Sequence, residues 1–160
     1  MIVLVMGVTG SGKTTVGKLL ARRLSWIFLD ADDFHSSVNR EKMHRGIPLS
    51  DADRTPWLDA IHDELLRRNG YGENIVLACS ALKQEYRDLL SANLNLKIVY
   101  LRGTAAQLHR NLATRKNHFA GEDLVPSQLA TLEEPSGAIA EDISHTPEEI
   151  VDDIRARLNF

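Results

Sequence analysis

At 160 residues the chain can bury one full core and is too short for two ordinary domains, so a single domain over residues 1–160 is expected. Hydrophobic residues make up 43% and charged residues 26%, which excludes a disordered chain, and a net charge of −3 argues against nucleic acid or anionic lipid as bulk partners. The one cysteine, Cys79, excludes an intramolecular disulfide and fits a reducing compartment. The opening apolar run Met1 to Met6 is too short for a membrane span and has no basic segment before it. A cytoplasmic location is therefore expected.

Ile2 to Met6 is a continuous apolar run that stops at Gly7, the pattern of a central parallel strand buried on both faces. Val16, Leu19, Leu20 and Leu24 then recur at helical spacing. Trp26 to Leu29 predicts a second strand ending in the acidic cluster Asp30, Asp32 and Asp33. A short helix is expected over 37–45, stopped by Gly46 and Pro48. The stripe Trp57, Leu58, Ile61, Leu65 and Leu66 predicts a longer helix ended by Asn69-Gly70. Ile75 to Cys79 and Leu96 to Leu101 read as strands three and four. Leu82, Tyr86, Leu89 and Leu90 stripe the helix between them, and Ala105, Leu108 and Leu112 the helix after the fourth. Residues 119–126 show no period and are expected to form a mobile loop, followed by a short helix from about Ser127 to Glu133. Residues 138–143 give a weak fifth strand, and Thr146-Pro147 opens a last helix striped by Ile150, Val151, Ile154 and Leu158. Strands alternating with helices imply a parallel α/β sheet with right-handed crossovers.

Gly7-Val8-Thr9-Gly10-Ser11-Gly12-Lys13-Thr14 matches G-x-x-x-x-G-K-[ST] in full. Glycines let the backbone fold tightly enough for successive N–H groups to point at phosphate oxygens. Lys13 can reach the β- and γ-phosphates, and the Thr14 hydroxyl can ligate Mg²⁺. The helix starting near Lys13 adds its positive dipole end. A bare glycine turn could produce the same pattern, but the strand before it and the amphipathic helix after it are the context a phosphate loop needs. Residues 7–15, Thr15 included, are the expected nucleotide contacts.

Neither a D-x-x-G switch nor an N-K-x-D base-reading motif of regulatory GTPases occurs in a suitable place. The third strand, Ile75 to Ser80, also lacks the acidic residue that large ATPases carry there. Asp30 and Asp32 are the replacement: two apart in an extended segment, they would face the same way. One could order the waters on Mg²⁺ while the other accepts the proton of an acceptor hydroxyl. Taken alone, the acidic trio is equally well read as a solvated turn. Arg110 and Arg115, followed by Lys116 and His118, precede the aperiodic segment, so a lid over about 115–126 could close on the phosphates. A basic helix terminus is the other reading; His118 stays undecided between lid contact and loop solvation. Trp57 is expected in the core, and no histidine has the spacing of a zinc site.

Several longer pieces go further: L-D-A-D-D-F-H at 29–35, G-I-P-L-S-D-A-D-R-T-P-W-L at 46–58, A-C-S-A-L-K-Q-E-Y-R-D-L-L at 78–90, R-K-N-H-F at 115–119, L-V-P-S-Q at 124–128 and L-E-E-P at 132–135. Together with the phosphate loop they resemble the gluconate kinase family of small P-loop sugar-acid kinases. The resemblance implies a P-loop kinase of nucleoside-monophosphate-kinase type, a five-stranded parallel sheet flanked by helices, with a mobile lid. It implies ATP and Mg²⁺ as cofactors, D-gluconate as acceptor at its 6-hydroxyl, and commonly a homodimer. Carried over by position, Asp32 is the leading base. His35, Arg54, Lys83 and Arg87 would hold the sugar acid, and Arg115 would serve the lid. Arg and Lys suit a carboxylate, and Lys83 and Arg87, four apart, would share a helix face and converge on the anion. The family often has Pro where this chain has Ser36, and a Met-Pro start to the lid where it has Ala120-Gly121. Shikimate kinase is the nearest alternative, although its glycine triplet is replaced here by Cys79-Ser80-Ala81. A non-catalytic ATP-binding module is the third reading.

Overall fold

Strand β1 (Ile2–Met6) lies at the centre of a five-stranded, all-parallel sheet in the order β2-β3-β1-β4-β5, with β2 at Ile27–Asp30, β3 at Ile75–Ala78, β4 at Leu96–Arg102 and β5 at Ile139–Asp142. The structure is a computed structural model, and it describes residues 1–115 and 124–160. β1 pairs in register with both neighbours, Ile2 opposite Ile75 on one side and Leu96 on the other. It is buried throughout, as a strand covered on two faces must be.

Side chains alternate along β1, so it feeds two cores. Ile2, Leu4 and Met6 pack with Ile75 and Leu77 under α3 (Asp51–Gly70) and α4 (Gln84–Ser91), where Leu58, Ile61, Leu65 and Leu90 fill the layer. Val3 and Val5 pack with Val76, Val99 and Leu101 under α1 (Lys13–Leu24) and α7 (Pro147–Leu158). A third cluster joins Val8 to Leu82, to Leu108 and Leu112 of α5 (Ala105–Ala113), and to Val125 of α6 (Leu124–Thr131). Each buried Leu, Ile or Val side chain contributes ~1.5–3 kcal/mol, and this third cluster seats the segment after β1 on two helices.

The predicted strands occur with ends shifted by a residue or two. α3 starts at Asp51, well ahead of its apolar stripe, because Ser50 and Asp53 form a reciprocal capping box, and it accommodates Pro56. Two expectations change. The segment after β2 is a 3-10 turn, Ala31–Phe34, capped by the Asp30 carboxylate accepting from the Asp32 N–H at 3.0 Å. The loop expected through 126 already gives way to α6 at Leu124; Pro126 sits in the first turn, where its missing N–H costs no intrahelical bond. The remaining helix, α2, spans Ser37–His44. Among the described residues, no helix is long and apolar enough to cross a membrane.

Arg87 of α4 is buried, with 1% of its surface exposed. Its guanidinium donates to the carbonyls of Ala81 (2.8 Å), Leu82 (3.1 Å) and Glu133 (2.8 Å) and to the side-chain oxygen of Gln84 (2.9 Å). It ties the segment after β3 to the segment after α6. Removing the donor takes the Ala81 carbonyl's bond away in a buried setting, whereas the Leu82 carbonyl keeps the Glu133 N–H at 2.8 Å. Arg87→Met should therefore lower unfolding stability by about 3 kcal/mol, read as a shift in denaturant midpoint; an unchanged midpoint would show that the bracket does not hold.

Candidate active site

The loop between β1 and α1 is built for close approach. Gly10 has φ +83°, and a Cβ there would meet the Leu108 carbonyl oxygen at 2.8 Å, so only glycine lets the loop sit on α5. Gly12 caps α1 at φ +90° and offers no capping side chain; a Cβ there would meet nothing within 4 Å. The first-turn N–H groups of α1 thus have no side-chain cap at the positive end of the helix dipole. Ser11 Oγ is buried and has no hydrogen-bond partner among the described residues. An orphaned hydroxyl beside uncapped amides fits an anion with several acceptor oxygens.

Lys13 Nζ folds back onto the Val8 carbonyl at 3.1 Å. Burial lowers its pKa from the ordinary lysine value, an effect that Asp32 opposes. Thr14 donates its hydroxyl to Asp30 Oδ2 at 2.9 Å. This pairs the two residues expected at a metal, as oxygen donors suited to Mg²⁺. Asp32 stands in the 3-10 turn, so the two acids converge through a turn and not through strand alternation. The Asp32 side chain is 57% exposed, yet desolvation by the surrounding cleft raises its pKa, the neighbouring Asp30 adds to this, and Lys13 opposes it. A carboxylate whose proton affinity is raised is better suited to receive a proton.

These groups share one cleft, at the carboxyl ends of the strands, with Gly12, His35, Arg54, Trp57, Ser80, Tyr86 and Arg115. His35 stacks on Trp57 with ring centroids 4.2 Å apart, and the Trp57 indole N–H is anchored on the Ala31 carbonyl at 2.7 Å. Trp57 is in the core, as expected, and also forms a wall of the cleft. Burial, with Arg40 and Arg54 nearby, lowers the His35 pKa to about 4. The imidazole is therefore neutral near pH 7, and its 3.9 Å approach to Asp32 is not an ion pair. His35 Nδ1 is buried without a hydrogen-bond partner among the described residues. Arg54 donates to the Tyr86 hydroxyl at 3.2 Å.

Two expected cations lie elsewhere. Lys83 is the residue preceding α4 and pairs with Asp51 at 3.2 Å; Arg87 turns inward, as described. Neither lines the cleft, and they do not converge on one anion, because the two alkyl stems leave α4 toward different surroundings. Arg110, at the end of α5, is not among the cleft residues either. Lys116, His118 and most of the lid expected over 115–126 fall on 116–123, outside the described residues. Arg115 borders the cleft and also a second depression behind the loop, lined by Thr15, Asn111, His145 and Pro147.

Sequence reasoning missed two residues that grip the loop. Gln128 of α6 accepts the Thr9 N–H on its side-chain oxygen at 2.7 Å, and Asn111 of α5 donates to the Gly10 carbonyl at 2.8 Å. Gln128 ends the L-V-P-S-Q piece, but nothing local signals a contact across 119 positions.

Comparison with known proteins agrees with this geometry. A family profile described as shikimate kinase matches residues 9–158. A mouse protein described as a probable gluconokinase is 48% identical over 153 residues, covering 84% of this chain and 83% of its own. A gluconokinase of Gluconobacter oxydans is 48% identical over 132 residues, covering 82% and 74%. The crystal structure of a gluconokinase from Sinorhizobium meliloti superposes with a TM-score of 0.88 at 40% identity, covering 98% of this chain and 90% of that one. The chain belongs to the shikimate kinase family of P-loop kinases and, within it, groups with the gluconokinases.

Proposed function

We propose that this kinase phosphorylates D-gluconate at its 6-hydroxyl, with ATP as donor and Mg²⁺ as the metal. The observation that carries the reading is the shared cleft: Lys13 and the Thr14–Asp30 pair at one end, Asp32 between, and neutral His35 with Arg54 at the other. The gluconokinase relatives supply the acceptor's identity. A polyol needs neutral donors and acceptors, which the neutral imidazole of His35, bordering the cleft, provides. A carboxylate calls for a guanidinium, which Arg54 provides.

The residues divide the work. The loop amides, Ser11 and Lys13 hold the phosphates and take up charge that develops on them. Thr14 would hold the metal, with Asp30 fixing the hydroxyl and ordering metal-bound water. ATP supplies the phosphoryl group: the acceptor oxygen bonds to the γ-phosphorus, the bond to the bridging oxygen breaks, and Asp32 takes the hydroxyl proton. Positioning dominates in such a loose transition state. The nucleoside end fits the second depression, since the first is taken by the acceptor groups. The family resemblance also supports a lid carrying Arg115 and a homodimer; the resemblance, together with the lone cysteine, supports a cytoplasmic setting.

An assay that resolves products, offering gluconate, shikimate, glycerate, nucleosides and nucleoside monophosphates with ATP, should show 6-phosphogluconate as the main product. Turnover of another acceptor without gluconate would overturn the assignment. Lys13→Ala should lower kcat on the order of 100-fold or more through lost charge stabilisation; a near-normal kcat would refute that role. Asp32→Asn should cut kcat more than it weakens ATP binding, whereas Asp30→Asn should raise the Mg²⁺ concentration needed for half-maximal rate. Identical behaviour of the two variants would contradict the division of labour.

A further inference from the structure

Arg54 is the guanidinium that α3 gives the cleft, and its position is set by Tyr86, which also borders the cleft, and by Asp51, which does not line it. Its Nη1 donates to the Tyr86 hydroxyl at 3.2 Å, and that hydroxyl donates in turn to Asp51 Oδ1 at 2.5 Å. Tyr86 has one proton to give. Committed to Asp51, it leaves the phenolic oxygen able only to accept, and what it accepts is Arg54. Asp51 also receives Lys83 Nζ at 3.2 and 3.3 Å, and these bonds hold its pKa below the ordinary carboxylate value. Arg54 and Lys83 both lie within 6 Å of the Tyr86 ring centroid. The ring is buried while Asp51 is exposed, so the carboxylate anchors from outside a hydroxyl that works from inside.

The elements fit this arrangement. Asp51 opens α3, where a carboxylate is favoured by the helix dipole, and the Ser50–Asp53 capping box fixes that end. Arg54 follows three residues later on the same helix, within 3.7 Å of Asp51. Tyr86 comes from α4. The chain Asp51–Tyr86–Arg54 therefore spans two helices and presets the one guanidinium that α3 gives the cleft. Among the described residues it spends a single N–H of that fork on the protein; a guanidinium carries five, and two aligned donors suffice for a carboxylate.

We infer that Asp51 and Tyr86 form a positioning relay that holds Arg54 in the orientation needed to receive the acid head of the acceptor, so that affinity for the sugar acid depends on a carboxylate, Asp51, that does not line the cleft. Asp51 and Tyr86 are positioning residues: their loss acts through Arg54. This rests on the sugar-acid reading above.

Steady-state kinetics on the full chain test it, with gluconate and ATP varied separately. Tyr86→Phe keeps the ring and removes the relay hydroxyl. It should raise KM for gluconate about tenfold, as expected for a lost hydrogen bond to a charged group, with kcat changed less than threefold and KM for ATP unmoved. Asp51→Ala should do the same. The double variant should be no worse than either single, because both act on one chain of bonds. Asp51→Asn, which keeps an acceptor for the tyrosine while losing the charge, should restore most of the gluconate affinity; if it does not, charge and not the relay sets KM and the inference falls. Unchanged gluconate KM in Tyr86→Phe and Asp51→Ala would overturn the relay while leaving the activity standing. So would single effects that multiply in the double variant. Wild-type enzyme that turns over no gluconate would overturn the activity and the relay together.

Discussion

A row of backbone N–H groups has to surround an anion while the chain reverses from β1 into α1, and the other parts of the cleft take their places from that turn. Glycine is required where the loop lies against the Leu108 carbonyl, and the turn is braced from outside by side chains of α5 and α6. Val8, inside the loop, plugs into the third apolar cluster. The cradle is thus held rigid by packing before any ligand arrives, which is the condition for charge stabilisation without reorganisation during the reaction.

Electrostatics in the cleft follow from the same burial. Desolvation in the cleft lowers the Lys13 pKa and raises that of Asp32, although the Asp32 side chain keeps 57% of its surface exposed. Each moderates the shift of the other. His35 is held neutral by burial and two arginines. The cleft therefore combines a cation at the loop, a carboxylate, and a neutral imidazole stacked on indole with the Arg54 guanidinium beside them. That set matches a phosphate, a reacting alcohol and a polyol chain.

Much of this was legible in the sequence. The loop motif, the unbroken apolar run before it and the amphipathic stripe after it specify a strand, a turn and a helix by local rules alone, and the first four strands announce themselves by composition, the fifth only weakly. Asp30 and Asp32 could be picked out because they end a strand. Their convergence was derived from strand alternation, yet it comes from a 3-10 turn that Asp30 itself caps. Arg87 shows what spacing cannot say: a cation on a helix near the site looks the same in sequence whether it faces a ligand or the carbonyls of its own chain. Gln128, Asn111 and the Asp51–Tyr86 pair were illegible because their partners lie on other elements. Only the tertiary packing of α3, α4, α5 and α6 brings them together.

The most direct test of the account is a crystal structure with gluconate and a non-hydrolysable ATP analogue with Mg²⁺. The account places the β- and γ-phosphates along residues 7–14, the acceptor's 6-hydroxyl about 2.6–3.2 Å from the Asp32 carboxylate, and the acid head toward Arg54. Phosphates bound away from the β1–α1 turn, or a terminal hydroxyl directed away from Asp32, would contradict it.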